Sequence, residues 1–278
     1  MTTTDALLRR NLEGHGDELI LTVDPAFQGL PETAHGGSVL AAFHLLAEGP
    51  GPHQVSGFYR KRVPLGVPLR LITAKAAGAL ACRLLDGSSA TLVEGRLGVP
   101  HSDHPRPLAP PPATRQPLPV STTCFACGVD NVLGLRVQLG HDDTVVAGVW
   151  RPRDTFRAVD GTLAPVALTT LLDEAAFWLG ALASGESGMT TELVVTLHGS
   201  VPFGPAITVG GPRARARPRA DDPRYWDTEV GAWDDRGRLV AGARITFVAV
   251  RGAARRLAAW LLRINSPDVV RRVFPSYA

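Results

Sequence analysis

The chain has 278 residues, 45% hydrophobic and 20% charged, with a formal net charge of +3. That length can bury one large core or two ordinary ones, and a mean hydropathy of +0.06 excludes disordered and fibrous classes. Three cysteines exclude a disulfide framework and suit a reducing compartment.

Met1 to Arg10 has no long apolar run behind a basic stretch, and no stretch approaches about 18 uninterrupted apolar residues. Neither a secretory signal nor a membrane span is expected, and the cytoplasm is the default. Leu19 to Val23 reads as a strand, followed by a loop through Pro25, Gly29 and Pro31 to His35. Ser38 to Ala47 is apolar on nearly every side, which marks a buried helix, and Gly49, Pro50 and Gly51 stop it. Strands follow at Gln54 to Arg62, Leu69 to Ala76, Ala79 to Leu85 and Ala90 to Gly98, with turns at Gly66, Gly78 and Asp86-Gly87. Short connections of this kind favour antiparallel neighbours.

Pro100 to Pro119 reads as a stiff, partly extended linker with His101, Ser102 and Asp103 near its start. Beyond it, strands are expected near Leu135 to Gln138, Thr144 to Trp150, Thr191 to Leu197, Ala206 to Ala216, Tyr225 to Trp233 and Leu239 to Val250. A helix spans about Pro165 to Leu182, and Pro165 suits a first helical turn. In the tail, Leu257, Trp260, Leu261 and Ile264 share a helical face, and Ser266-Pro267-Asp268 resembles the start of a second short helix. Packing on an open sheet edge is the expected role of this tail, with a basic amphipathic helix for a membrane surface or an acidic protein, carrying Arg255, Arg256 and Arg263, as the alternative.

The two halves repeat each other. Phe27 laid on Phe156, a shift of 129 residues, places His35-Gly36-Gly37 over Ala164-Pro165-Val166 and His44 over Asp173. Further on, Arg62-Val63-Pro64-Leu65-Gly66 matches Ser200-Val201-Pro202-Phe203-Gly204 at a shift of 138, so the second copy gains about nine residues, expected in a loop. Copies of roughly 120 residues are domains rather than solenoid repeats. The expected boundaries are an N-terminal unit at 1–99, a linker at 100–120, a C-terminal unit at 121–252 and a helical extension at 253–278.

Glycines where a loop becomes a helix let backbone approach a ligand, and the free N–H groups of the first turn suit an oxyanion. Gly36 is the candidate donor. A carboxylate inside an apolar helix is expensive without a partner or a task, and Asp173 is in that position. Glu174 lies about 100° further round the helix and cannot do the same job. Cys124-Phe125-Ala126-Cys127 has zinc-knuckle spacing but lacks a second ligand pair, so a structural turn before Gly128 is expected and no metal. Tyr59-Arg60-Lys61-Arg62 and the alternating Arg213, Arg215, Arg217 and Arg219 either meet an anionic partner or form solvated strand faces. The overall basicity, pI near 9.0, is too mild to argue for nucleic acid.

Phe27 through Gly37, Cys124-Phe125-Ala126-Cys127-Gly128 with Asn131, Gly134 and Leu135, and Thr170-Leu171-Leu172-Asp173-Glu174-Ala175 together resemble the signature of hotdog-fold acyl-CoA thioesterases. This resemblance spans roughly residues 17 to 250. It implies an α+β double hotdog, two antiparallel sheets each wrapped around a central helix, forming a pseudo-dimer. It also implies hydrolysis of an acyl-CoA or acyl carrier protein thioester, with coenzyme A or phosphopantetheine entering as part of the substrate and no separate cofactor.

Within that resemblance Asp173 takes the position of the acid, as general base or nucleophile, Gly36 supplies the amide, His35 shapes the loop, and Thr190 holds water. Gly37, Arg60 and Arg62 are expected to bind the substrate. One site combines His35, Gly36 and Gly37 with Asp173 and Thr190. Its twin combines Ala164, Pro165 and Val166 with His44 and is dead, since Pro165 has no N–H. The alternatives are a noncatalytic acyl-thioester-binding protein and a hotdog dehydratase or hydratase. The latter ranks lowest because it needs an aspartate and histidine paired in its own helix-entry motif. A homodimer of double hotdogs is a further expectation.

Overall fold

The computed structural model describes residues 2–100, 109–113 and 116–277; His101, Ser102, Asp103 and much of the proline-rich segment lie outside the described residues. The first half runs α1 (Thr4–Arg10), β1 (Leu12–His15), β2 (Glu18–Thr22), a 3-10 turn at Pro25–Phe27, α2 (Gly36–His44), β3 (His53–Tyr59), β4 (Pro68–Ala76), β5 (Ala79–Leu85) and β6 (Thr91–Gly98). After β7 (Gln116–Pro117) and β8 (Gly140–His141) come β9 (Val145–Trp150), a 3-10 turn at Asp154–Phe156, α3 (Pro165–Ser184), β10 (Gly188–Leu197) and β11 (Ile207–Pro212). The chain ends in β12 (Arg217–Pro218), β13 (Tyr225–Trp233), β14 (Leu239–Ala249), α4 (Ala253–Leu261) and α5 (Pro267–Val273).

The order of 3-10 turn, central helix and four long strands occurs in both halves, and single backbone bonds keep the register. His35 N–H donates to Phe27 O at 2.8 Å as Ala164 N–H does to Phe156 O at 2.9 Å. Likewise Ala34 N–H meets Val63 O at 2.9 Å and Leu163 N–H meets Val201 O at 2.7 Å. The nine extra residues do not form a loop as expected. They lengthen the helix, from 9 residues in α2 to 20 in α3. Nothing like Gly49-Pro50-Gly51 interrupts the apolar run of α3, which continues until Gly185 ends it in the left-handed conformation at φ 70°.

The expected pair of sheets is one sheet. Among the described residues fourteen strands run in the order β1-β2-β4-β5-β6-β3-β10-β14-β13-β11-β9-β8-β7, with β12 beside β13. Antiparallel pairing of β3 with β10, from His53 opposite Leu197 to Phe58 opposite Glu192, joins the halves. The physical reason is edge satisfaction: a hotdog unit ending at β3 or β10 exposes a row of unpaired backbone groups, and each edge is covered by the other.

Both central helices are buried inside the curve of this sheet, and they pack on one another at glycine. A Cβ on Gly37 would stand 2.5 Å from Thr169 O and 2.6 Å from Thr170 Cα, so only glycine permits the approach. Thr169 Oγ1 donates back to Gly37 O at 2.7 Å. Among the described residues α3 is the one helix long and apolar enough to cross a bilayer, but 83% of its apolar window is buried inside the protein, as in a core helix.

Two local expectations change. Leu135 to Gln138 is not a strand: Leu135 and Val137 are buried, but their N–H groups bond Phe125 O and Ala126 O in the cysteine turn instead of a ladder. The strand expected to reach Ala216 ends at Pro212, and Arg213–Arg215 form a 3-10 turn. Pro212 has no N–H to continue the ladder. The arginines there serve the protein itself, Arg215 pairing with Glu229 at 3.1 Å and Arg219 with Asp227 at 2.9 Å. Finally, the tail reaches from the segment after edge strand β7, where Asn265 bonds both backbone groups of Val120, to the central helix. Phe274 packs on Trp178 of α3, and Glu186 anchors the start of α4 by accepting from the amides of Gly252 and Ala254.

Candidate active site

A cavity of about 410 Å³ opens between the halves. The loop before α2 and the end of β3 form one wall, and α3 with the start of β10 forms the opposite one. Leu257, Trp260 and Leu261 of α4 close part of the rim. His35, Gly36, Arg60, Arg62, Asp173 and Thr190 all line it. Gly37 lies just behind the wall, its Cα packed against α3.

Asp173 stands 4% exposed on α3 and is held by three donors. Thr190 Oγ1 donates to its Oδ1 at 2.6 Å, the Gly37 amide to Oδ2 at 2.9 Å, and His35 Nδ1 lies 3.1 Å from Oδ2. The Gly37 amide is also 3.2 Å from His35 Nδ1. Burial opposes a charged His35, but hydrogen bonds to Asp173 and Glu174 outweigh it and raise the imidazole well above its ordinary range. Nδ1 therefore carries a proton and points it at Asp173, leaving the Gly37 amide to the carboxylate as well. Burial likewise opposes a charged Asp173, and His35, Thr190 and Gly37 together hold its carboxyl below the usual range.

The Gly36 amide is unengaged among the described residues, as the first N–H of a helix is unless something external accepts it. A Cβ on Gly36 would stand 2.8 Å from Asp173 Oδ2, which puts this amide and the carboxylate side by side. Tyr59 OH fixes the junction by donating to Gly36 O at 2.7 Å. An uncommitted helix-end donor next to an ionised carboxylate in a cavity of this size can polarise a carbonyl and deprotonate a nucleophile beside it.

The basic run meets the rim unevenly. Arg60 stacks on Phe58 and pairs with Glu94 at 3.0 Å, and Lys61 lies 3.9 Å from Asp86, whereas Arg62 has no carboxylate partner among the described residues. Sequence reasoning missed Glu174 as a wall residue: its Oε2 lies 3.7 Å from His35 Nε2, and Trp178 Nε1 donates to its Oε1 at 2.9 Å. The spacing Glu174 to Trp178, one helical turn, was the available signal. Tyr59 carried no such signal.

The related position in the other half is also a cavity, of about 320 Å³, lined by His44, His53, Pro165, Asp5 and Arg9 among others and covered by α1. No carboxylate stands on α2 there. His44 Nε2 meets His53 Nδ1 at 3.2 Å, and burial with the charge of its neighbours pushes the His44 pKa down to about 4.

No protein-family model and no curated protein matches the chain. Solved structures do. A provisionally named thioesterase II from Thermobifida fusca is 18% identical with a TM-score of 0.61, covering 88% of this chain and 99% of that one. A protein of unknown function with a hot dog fold from Alicyclobacillus acidocaldarius is 11% identical at 0.54, covering 86% and 95%. The dehydratase domain from the CurJ module of curacin polyketide synthase is 12% identical at 0.55, covering 86% and 93%. The chain has the hotdog fold, of the form shared by thioesterase-like proteins.

Proposed function

We propose that the chain is a fused hotdog pseudo-dimer that hydrolyses acyl thioesters, of coenzyme A or an acyl carrier protein, at a single site in the Asp173 cavity between its halves. The observation that carries this reading is the juxtaposition of the unengaged Gly36 amide with the ionised Asp173 across the two halves. The thioester oxygen accepts from Gly36 N–H, and the positive end of α2 favours the charge that grows there. Asp173 takes a proton from water as it attacks the carbonyl, and Thr190 holds Oδ1 in place. Phe177, Trp178 and Trp260 give the acyl chain an apolar wall, while Arg62 at the rim suits the phosphates of the carrier. Ala164 and Pro165 leave the twin cavity without an amide donor, and His44 leaves it without an acid.

A dehydratase is the second reading, because His35 and Asp173 do pair, at 3.1 Å, across the halves rather than within one motif. Its weakness is protonation. A base that removes an α proton must be neutral, whereas carboxylates at both ring nitrogens, Asp173 at Nδ1 and Glu174 at Nε2, favour the charged imidazole of His35. Incubating the protein with acyl-CoAs of increasing length and following free thiol separates the readings. Thiol release supports hydrolysis, saturable binding without release supports an acyl-binding protein, and an enoyl product from a β-hydroxyacyl thioester supports the dehydratase.

A further inference from the structure

Cys124 and Cys127 line the same cavity and have no part in hydrolysis. Their turn is tight: Gly128 N–H returns to Cys124 O at 2.8 Å, and the Ala126 amide points at Cys124 Sγ at 3.4 Å. A Cβ on Gly128 would stand 2.3 Å from Cys124 O, so glycine is needed to close it. The turn has the spacing of a metal knuckle, with an amide supporting the Cys124 sulfur, while Cys127 Sγ lies 3.8 Å from Ser121 Oγ.

What the sequence could not supply is the second ligand pair. The fold brings it from two distant helices: His35 Nε2, Glu174 and Cys124 Sγ lie within 4.8 Å of one another, all buried. Cys127 is in contact with both Cys124 and Glu174. Tetrahedral zinc, with bonds of about 2.0–2.3 Å, spaces its ligand atoms by roughly 3.3–3.8 Å, so His35, Glu174 and Cys124 need to close in by about 1 Å and Cys127 must turn in beside Cys124 as the fourth ligand. The outer bonds already have the arrangement that orients metal ligands. His35 turns Nδ1 to Asp173, presenting Nε2 inward, and Trp178 occupies Glu174 Oε1, presenting Oε2 inward. Two buried carboxylates beside one imidazole also leave negative charge that a cation offsets.

We propose that His35, Glu174, Cys124 and Cys127 bind one divalent ion of the zinc class per chain, closing a four-ligand site that fixes His35 against Asp173. Thiolate, imidazole and carboxylate together favour zinc over magnesium or calcium. Both thiol protons and the His35 Nε2 proton leave to solvent on loading. The site is independent of the proposed hydrolysis, since an ion can bind whether or not thioesters turn over.

Cobalt titration of the reduced, chelator-treated full chain tests this. The expected result is a thiolate-to-cobalt charge-transfer band that saturates at one equivalent and is displaced by zinc. Cys124→Ser and Glu174→Gln each weaken binding at least 10-fold, and Cys127→Ser roughly halves the band by removing one of two thiolates. Circular dichroism of each variant establishes that it is folded. A folded, reduced protein with no band, or a Cys124→Ser variant that keeps the full band at unchanged affinity, overturns the proposal. So does a Cys124–Cys127 disulfide that re-forms in the presence of equimolar zinc.

Discussion

Replacing Asp173 by Asn tests the hydrolytic reading while keeping the shape of the site. Asn retains one oxygen to accept from Gly37 N–H and His35 Nδ1, the two donors now on Oδ2. It loses the charge and the basic Oδ1, which Thr190 holds at 2.6 Å. A general base contributes about 10²- to 10⁴-fold, equal to roughly 2.7–5.5 kcal/mol of barrier, so kcat for acyl-CoA hydrolysis is expected to fall by that factor with KM little changed. Asp173→Ala differs in kind. It leaves a buried His35 and a buried amide without their acceptor, and unpairing a buried ion costs about 3–5 kcal/mol. The alanine variant therefore melts well below the asparagine variant, although both lose activity. Steady-state thiol release and thermal melting on the same preparations check this. A kcat for Asp173→Asn within about 10-fold of the unmodified protein refutes Asp173 as the base.

Gly36→Ala and Gly36→Pro both place a Cβ 2.8 Å from Asp173 Oδ2, but only proline removes the amide hydrogen. The ratio of their kcat values isolates the donor and is expected to reach about 10²- to 10³-fold; a ratio near unity excludes Gly36 N–H from catalysis. Thr190→Val removes a bond to a charged oxygen worth about 1.5–3 kcal/mol, so kcat drops roughly 10- to 100-fold, measured by the same assay. Trp260→Ala opens the α4 side of the cavity and shifts the kcat/KM profile toward longer acyl chains, and an unchanged profile places the chain elsewhere. The pH dependence of stability reports on His44, which faces His53, Arg9 and Asp5. Its folded pKa of about 4 lies below the unfolded 6.5, so the unfolded chain takes up the proton first and stability falls as pH drops from 6.5 to 4. That loss amounts to about 3 kcal/mol and is expected to flatten in His44→Gln; denaturant melts across that pH range would show it.

Much of the strand order was legible because glycine turns and alternating burial fall at regular intervals. β5 and β13 begin and end where those signals place them. Leu135 and Val137 show the limit of that logic. They alternate as a strand does, yet their amides are taken by a neighbouring turn, and periodicity records burial without recording who accepts the hydrogen bond. Asp173 was legible as a costly charge in an apolar helix, and the register of the repeat linked it to the glycine loop. His35 and Thr190 were joined to it only through the family resemblance, and the distances depend on the packing of Gly37 on Thr169. Glu174 and Cys124 are fifty residues apart, and no spacing rule joins them. The single sheet escaped prediction for a similar reason: pairing of one strand edge with another depends on shape complementarity between halves.

The β3–β10 seam makes the covalent tether between the halves dispensable for geometry. Six residue pairs and a glycine-to-helix contact hold the same register whether or not the backbone is continuous. Two separately encoded polypeptides, one ending after β6 and the other beginning before β7, are expected to reassemble as an obligate heterodimer. On the proposed pseudo-dimer reading, fusion of the halves adds little affinity to that contact. What fusion secures is stoichiometry: every molecule carries one glycine loop and one acidic helix, and mismatched like-with-like pairs, lacking one or the other, never form.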